Sequence, residues 1–257
     1  MTDAAAIASY LDELLATATV EDYSGAVNGL QFTNDIPITG VCAAVDFSVR
    51  AIRDCIDRKA NLLIVHHGMF WNGSAPFTGT NYQRIKLLIE NHVAVYSSHL
   101  PLDLHPEVGN NVLLARALGL TPSRGFAYSK GVAIGVAGDA DVATSDLVER
   151  VIKFSEQYGA SVVATSMKKG RQTRKWGMCT GSGAGSETLA EVREQGIDTL
   201  IVGEGPHWTA VAAEDDDISI IYAGHYATET LGVQAIAESV SKKFGVPWSF
   251  IQAPTGL

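Results

Sequence analysis

The stretch Leu62-Leu63-Ile64-Val65-His66-His67-Gly68 decides the fold of this chain. Four consecutive large apolar residues bounded by Asn61 and Gly68 predict a strand buried on both faces, as in a parallel sheet. Adjacent side chains of a strand point to opposite faces. At the carboxyl end of the strand the chain turns, and Gly68 permits an unusual backbone, so both imidazoles can reach one crevice. Two adjacent histidines there indicate two neighbouring metal ions, one for each ring.

A second apolar segment, Val93–Tyr96, also leads into residues that can bind metal. It is followed by His99 and Asp103 in the sequence H-L-P-L-D. Because Pro101 breaks helices, we expect His99 and Asp103 to lie on a loop after the strand.

A third such segment lies near the C-terminus, where the strongly apolar Ile218–Tyr222 is followed by His225 and Glu229. These two residues are four apart, which is one turn of a helix that begins early in this segment. A single histidine beside an apolar run is more often a buried structural residue than a ligand. Three strand ends that supply histidines and carboxylates together favour a metal site. This mixture suits zinc, iron, manganese or nickel better than calcium or magnesium.

Five segments, in this order, resemble the dinuclear-metal-centre hexameric proteins, often called GTP cyclohydrolase 1 type 2 homologues. They are N-G-L-Q at 28–31, V-H-H-G-M-F-W-N-G at 65–73, S-H-L-P-L-D-L-H-P-E-V-G-N-N at 98–111, T-G-S-G-A-G at 180–185 and A-G-H-Y-A-T-E-T at 223–230. The resemblance implies a two-domain fold and a ring-shaped homohexamer. It also implies the metal ligands, which would be His66, His67, Asp103, His225 and Glu229.

In that resemblance Glu229 bridges two divalent ions, and His99 lies beside them as an additional ligand or a proton-transfer group. His99 and Glu229 are therefore the candidate catalytic residues. The segment around Glu204 and His207 is only loosely similar to the family, so neither residue receives a role. We treat His92 and His105 as structural.

Apolar strands alternate with amphipathic helices along most of the chain, which predicts an α/β fold with two domains, each a largely parallel or mixed sheet flanked by helices. Residues 121–130 are the best candidate for a linker. The histidine and glutamate near the C-terminus must meet His66, so we expect the chain to return to its first domain. Residues 1–124 and 224–257 would form the metal-binding domain, residues 125–223 an inserted one, and the metal site would lie in the cleft between them.

The composition narrows the classes of partner. The formal net charge of −9 argues against nonspecific binding of nucleic acid. The exception is residues 168–175, five of which are basic; we favour a solvated loop there over an anion contact. Cys42, Cys55 and Cys179 have no metal-binding or disulfide spacing, which indicates buried thiols and a reducing cytoplasm. Neither a secretory signal nor an apolar run of about 18 residues is present, so we expect no membrane segment.

These observations predict a metal-dependent hydrolase. Five or six protein ligands leave open positions on two ions for water. The substrate would be a small molecule, either a nucleotide or another phosphate-bearing heterocycle. The alternative is a non-catalytic metal-binding or regulatory interaction protein. A third possibility, a nucleotide-binding module that uses the glycines of residues 181–185, is weaker because their spacing is G-x-G-x-G, which favours a tight structural turn.

Overall fold

The computed structural model describes residues 2–165 and 168–256. They form two compact units. The first unit comprises residues 1–105 and 232–253, and the second comprises residues 106–231 and 254–257. Residues 106–124, 224–231 and 254–257 thus belong to the second unit, whereas the sequence predicted them in the first domain.

The secondary structure alternates between strands and helices over most of the chain. In chain order the elements are α1 (Ala4–Leu14), a 3-10 turn (Thr17–Thr19), β1 (Gly29–Phe32), β2 (Val41–Asp46), α2 (Val49–Asp57), β3 (Leu62–His67), α3 (Gly79–Glu90), β4 (Ala94–Ser97), α4 (Leu100–Asp103), α5 (Asn110–Ala117), β5 (Arg124–Ser129), β6 (Val132–Ala143), α6 (Thr144–Glu156), β7 (Val163–Ala164), β8 (Gln172–Cys179), α7 (Ser186–Gln195), β9 (Thr199–Val202), α8 (His207–Asp215), β10 (Ser219–Tyr222), α9 (His225–Thr228), α10 (Thr230–Phe244) and β11 (Trp248–Phe250).

The first unit contains a five-stranded sheet in the order β1-β4-β3-β2-β11. The strands β11, β2, β3 and β4 are parallel, and β1 is antiparallel at one edge. Every residue of β3 is buried, including the two histidines that end it. The apolar run therefore forms the central strand that the sequence predicts, because a strand covered on both faces must be apolar throughout.

The helices of the first unit follow their sequence signals with two exceptions. Ser48 caps α2 by accepting a hydrogen bond from the backbone N–H of Ala51, an interaction worth about 1 kcal/mol. In α3, Leu88 is buried, but the apolar side chains of Tyr82 and Ile89 are exposed. The loop prediction for residues 99–103 is wrong in part, because α4 begins at Leu100 with Pro101 in its first turn, where a missing N–H costs nothing.

The second unit contains a six-stranded mixed sheet in the order β5-β6-β8-β9-β10-β7. The strands β8, β9 and β10 are parallel, and the other neighbours pair antiparallel. The linker predicted at residues 121–130 is wrong, since most of it forms β5, in which Phe126 is fully buried. Gly125 and the nearby Pro122 suggested a break in the chain, but the Phe126 side chain anchors this segment in the core.

The C-terminal segment returns to the first sheet, where β11 pairs with β2 in parallel register. The chain returns to the first unit only at residue 232. His225 and Glu229, which were predicted to lie in the first domain, therefore belong to the second unit. The three cysteines are buried, as predicted. None of the helices within the described ranges is both long enough and apolar enough to cross a membrane.

Candidate metal centre

Three histidines of the first unit form a cluster at the carboxyl ends of β3 and β4. The ring centroid of His66 lies 4.8 Å from that of His67 and 4.9 Å from that of His99. One nitrogen from each ring lies within 4.8 Å of a nitrogen from the other two. The sequence analysis predicts that both imidazoles of the His66-His67 pair can reach one crevice, and the structure places the two rings side by side.

Each of these histidines is held through its Nδ1 atom. His66 Nδ1 donates to the carbonyl oxygen of Ser98 at 2.9 Å. His67 Nδ1 pairs with Asp46 Oδ1 at 2.9 Å, and His99 Nδ1 pairs with Asp22 Oδ1 at 2.8 Å. Carbonyl and carboxylate oxygens fix the proton on Nδ1, so the Nε2 atom of the neutral ring carries the lone pair that a metal ion binds.

Asp103 joins the same cluster from α4. Its Oδ2 atom lies 3.5 Å from His66 Nε2, and both side chains are buried. The single turn of α4 explains this position, since it folds Asp103 back towards the end of β3. The structure thus brings together four of the residues that the sequence singled out: His66, His67, His99 and Asp103.

Asp22 orients His99 and was missed by the sequence analysis. Its carboxylate accepts hydrogen bonds from His99 Nδ1, the Asn28 side chain and the backbone N–H of Leu100, at 2.8, 2.8 and 2.9 Å. Burial raises the pKa of Asp22, but these donors outweigh it and hold the pKa at about 2. Asn28 also accepts from the His99 N–H at 2.7 Å. The N-G-L-Q segment was the only signal for this support, and nothing in the sequence singled out Asp22.

Gln31, the last residue of that segment, fixes the loop after the two histidines. Its Oε1 accepts from the backbone N–H of Met69 at 2.6 Å, and its Nε2 donates to the carbonyl of Val27 at 2.8 Å. A Cβ atom at Gly68 would overlap the Gln31 amide. A side chain at Gly68 would therefore displace the Gln31 amide from these hydrogen bonds. The unusual backbone conformation that the sequence analysis expected at Gly68 is absent.

The second unit carries its own cluster of one histidine and two carboxylates. His225 Nδ1 pairs with Glu204 Oε1 at 2.8 Å, and its Nε2 lies 3.1 Å from Glu229 Oε2. Burial lowers the pKa of His225, but the hydrogen bonds and charges of Glu229 and Glu204 outweigh it and raise this pKa to about 9. The pKa of Glu204 is lowered, chiefly by its hydrogen bond with His225. Glu204, which received no role from the sequence, thus supports His225 as Asp46 supports His67.

The glycine-rich loop supports this second cluster. The Gly181 N–H donates to Thr228 Oγ1 at 3.0 Å, and the Gly181 carbonyl accepts from the Glu204 N–H at 2.9 Å. A Cβ atom at Gly181 would overlap the Glu229 carboxylate. Because two carboxylates border the loop and would repel a phosphate, its packing favours a structural turn over a phosphate cradle.

The other polar residues named in the sequence analysis lie outside both clusters. In the basic segment, Lys168 and Arg171 pair with Asp217, each at 2.8 Å. His92 pairs with Asp35 at the surface, and His207 is exposed at the start of α8. These contacts agree with a solvated loop for the basic segment and with a structural position for His92.

Comparison with known proteins identifies the family. The family model described as Duf34/NIF3 (NGG1p interacting factor 3) matches residues 2–255. The chain belongs to the DUF34/NIF3 family. The resemblance stated from the sequence motifs is thereby confirmed, and it covers almost the whole chain.

Individual relatives agree with this assignment. The chain is 39% identical over 252 residues to a GTP cyclohydrolase 1 type 2 homolog of Pyrococcus abyssi, with 98% of each protein covered. It is 36% identical over 250 residues to the homolog of Deinococcus radiodurans, with 96% of this chain and 92% of the relative covered. The crystal structure of TTHA1606 from Thermus thermophilus superposes with a TM-score of 0.85 at 30% identity, and all of both chains is covered.

Proposed function

We propose that this DUF34/NIF3 protein is a hydrolase that depends on two divalent metal ions. The proposed ligands are His66, His67 and Asp103 from the first cluster, with His225 and Glu229 from the second. Glu229 would bridge the ions. Zinc, iron, manganese and nickel all suit this set of imidazole and carboxylate donors.

The observation that carries the proposal is the shared orientation of the histidines. In all three proposed histidine ligands, Nδ1 is held by a carbonyl or carboxylate oxygen, which leaves Nε2 as the donor atom. Such outer partners fix the tautomer and raise the basicity of histidines that bind metals. In His66, His67 and His99 this arrangement recurs in rings whose nitrogen atoms lie within 4.8 Å of one another, so the residues present fit divalent ions.

Bound divalent ions supply Lewis-acid chemistry, which activates water for hydrolysis near neutral pH. His99 would move the proton. Its Nδ1 is fixed by Asp22, so Nε2 is the atom that accepts or donates. The side chain of His99 is 17% exposed, which gives the ring access to solvent for proton exchange. The Asp22 carboxylate would stabilise the imidazolium that forms when His99 takes up the proton.

We propose a nucleotide or another phosphate-bearing heterocycle as the substrate, because the curated relatives are named GTP cyclohydrolase 1 type 2 homologs. The test is hydrolysis by metal-defined protein of GTP and of a panel of phosphoesters and cyclic amides. Metal-dependent turnover that His66→Ala abolishes and His92→Ala retains is expected. Two bound ions without turnover on any substrate would contradict the hydrolase and favour a metal-binding or regulatory protein.

We also propose a homohexamer, on the basis of the family resemblance alone. Light scattering at micromolar concentration should give the mass of six chains. A stable monomer would contradict this assembly and would leave the ligand set untouched.

A further inference from the structure

A cavity in the first unit is lined in part by the loop that follows His66 and His67. It has a volume of about 190 Å³, and its walls include Phe47, Met69, Phe70, Phe77 and Arg84. The Phe47 N–H donates to the His67 carbonyl at 2.9 Å, and Met69 follows His67 by two residues. The wall of the cavity is therefore attached directly to the strand that carries the two histidines.

Arg84 gives the cavity a positive charge, and neither Asp nor Glu is among its described lining residues. The guanidinium carbon lies 5.5 Å from the centre of the Phe47 ring. Within the described residues, its Nε atom is inaccessible and makes no hydrogen bond, and no carboxylate pairs with the guanidinium. A partly buried cation without a counter-ion is costly, and an anionic ligand would offset that cost. This charge is notable in a chain whose net charge is −9.

The size of the cavity and the residues in its wall indicate what else, besides an anionic group, a ligand would contain. A cavity of roughly 150 Å³ holds benzene, whereas pockets for drug-sized ligands measure about 300–1,000 Å³. The observed volume of about 190 Å³ therefore fits one ring with a small substituent. Three phenylalanines offer aromatic surface against which a flat ring can pack, and Asn72 and Asn81 add hydrogen-bonding groups.

We propose that this cavity binds a small anion built on one flat aromatic ring, with Arg84 pairing with its carboxylate or phosphate. The assignment of this ligand as the substrate, or as the part of it next to the metals, rests on the proposed hydrolase. The binding itself requires no metal.

The test is ligand-observed fluorine NMR of 4-fluorobenzoate with the whole protein, before and after treatment with a chelator. Saturable binding in both states is expected, with binding of the neutral 4-fluorobenzamide at least about tenfold weaker. Benzoate and phenyl phosphate should each displace the probe. The competitor with the higher affinity identifies the preferred anionic group. Equal binding of the acid and the amide, or no saturable binding of the acid, would overturn the proposal.

Two variants locate the binding. Arg84→Gln should weaken 4-fluorobenzoate about tenfold to a hundredfold, because the charged hydrogen bonds are lost. Phe77 is 67% exposed, so Phe77→Ala cannot disturb the core, and it should also weaken the probe. Wild-type affinity in both variants would refute this location. Metal content should stay at the wild-type value in both variants, so failure of this site and failure of the metal centre give separate readouts.

Discussion

Replacing Asp22 with Asn tests whether the Asp22 carboxylate holds the histidine cluster in place. The side chain of Asp22 is 6% exposed, and each carboxylate oxygen accepts two hydrogen bonds. Oδ1 accepts from the N–H of Tyr23 and from His99, whereas Oδ2 accepts from Asn28 and the N–H of Leu100. An amide has a single acceptor oxygen, so in either orientation two donors would face an NH₂ group.

The expected cost follows from those two lost hydrogen bonds. A hydrogen bond to a charged group contributes about 1.5–3 kcal/mol, so the loss of two should lower the free energy of unfolding of Asp22→Asn by about 3–6 kcal/mol. If the amide nitrogen faces His99, that ring must accept at Nδ1 and carry its proton on Nε2, which is the wrong tautomer for proton uptake. Chemical denaturation of chelator-treated protein measures the loss of stability without any contribution from metal.

A matched control exists at the surface. His92 Nδ1 and Asp35 Oδ1 lie 2.7 Å apart, close to the 2.8 Å of the His99–Asp22 pair, but the Asp35 side chain is 82% exposed. Asp35→Asn should therefore leave the free energy of unfolding nearly unchanged, because solvent screens this exposed pair. An equal effect of the two substitutions, or a loss below about 1 kcal/mol for Asp22→Asn, would refute the argument that the buried carboxylate organises this site.

Two further predictions concern the second cluster. Gly181→Ala should lower the metal content measured by elemental analysis, because its Cβ would overlap the Glu229 carboxylate. Gly185→Ala should keep the wild-type metal content, because its Cβ would meet no atom within 4 Å. Equal metal content in the two variants would contradict this prediction. In metal-free protein, the pKa of His225 is raised from 6.5 to about 9. Its contribution to stability is therefore complete below about pH 6.5 and is lost as the pH rises through about 9. Glu204→Gln should flatten this dependence in unfolding measurements between pH 6 and 9.5, and an unchanged profile would exclude the pair as its source.

The parts of the fold that could be predicted from the sequence are those with a strong local signal. The apolar segments that the sequence indicated form β3, β4 and β10, because burial on both faces of a sheet dictates the residue pattern directly. Two signals misled. Pro101 was interpreted as a helix breaker, although it occupies the first turn of α4, and Gly125 as part of a linker, although the next residue anchors β5.

The residues of the candidate site also divide into those that could be predicted from the sequence and those that could not. His66 and His67 end β3, and His99 and Asp103 follow β4, so their meeting at one sheet edge could be predicted from parallel pairing. Asp22 could not be found in this way, since it lies 77 residues before His99 and its segment has no periodic pattern. Hydrogen-bond partners of this kind are set by tertiary packing, and no local sequence pattern indicates them.

The central claim, a centre of two metal ions in which Glu229 is the bridge, is tested most directly by elemental analysis of the purified protein. The account predicts two divalent ions per chain. It predicts fewer than two in Glu229→Gln, because removal of the negative charge leaves the repulsion between the cations poorly offset. The surface substitution Glu90→Gln, which affects only an exposed pair with Lys86, should retain both ions. Wild-type protein without metal, or Glu229→Gln with both ions bound, would contradict the account.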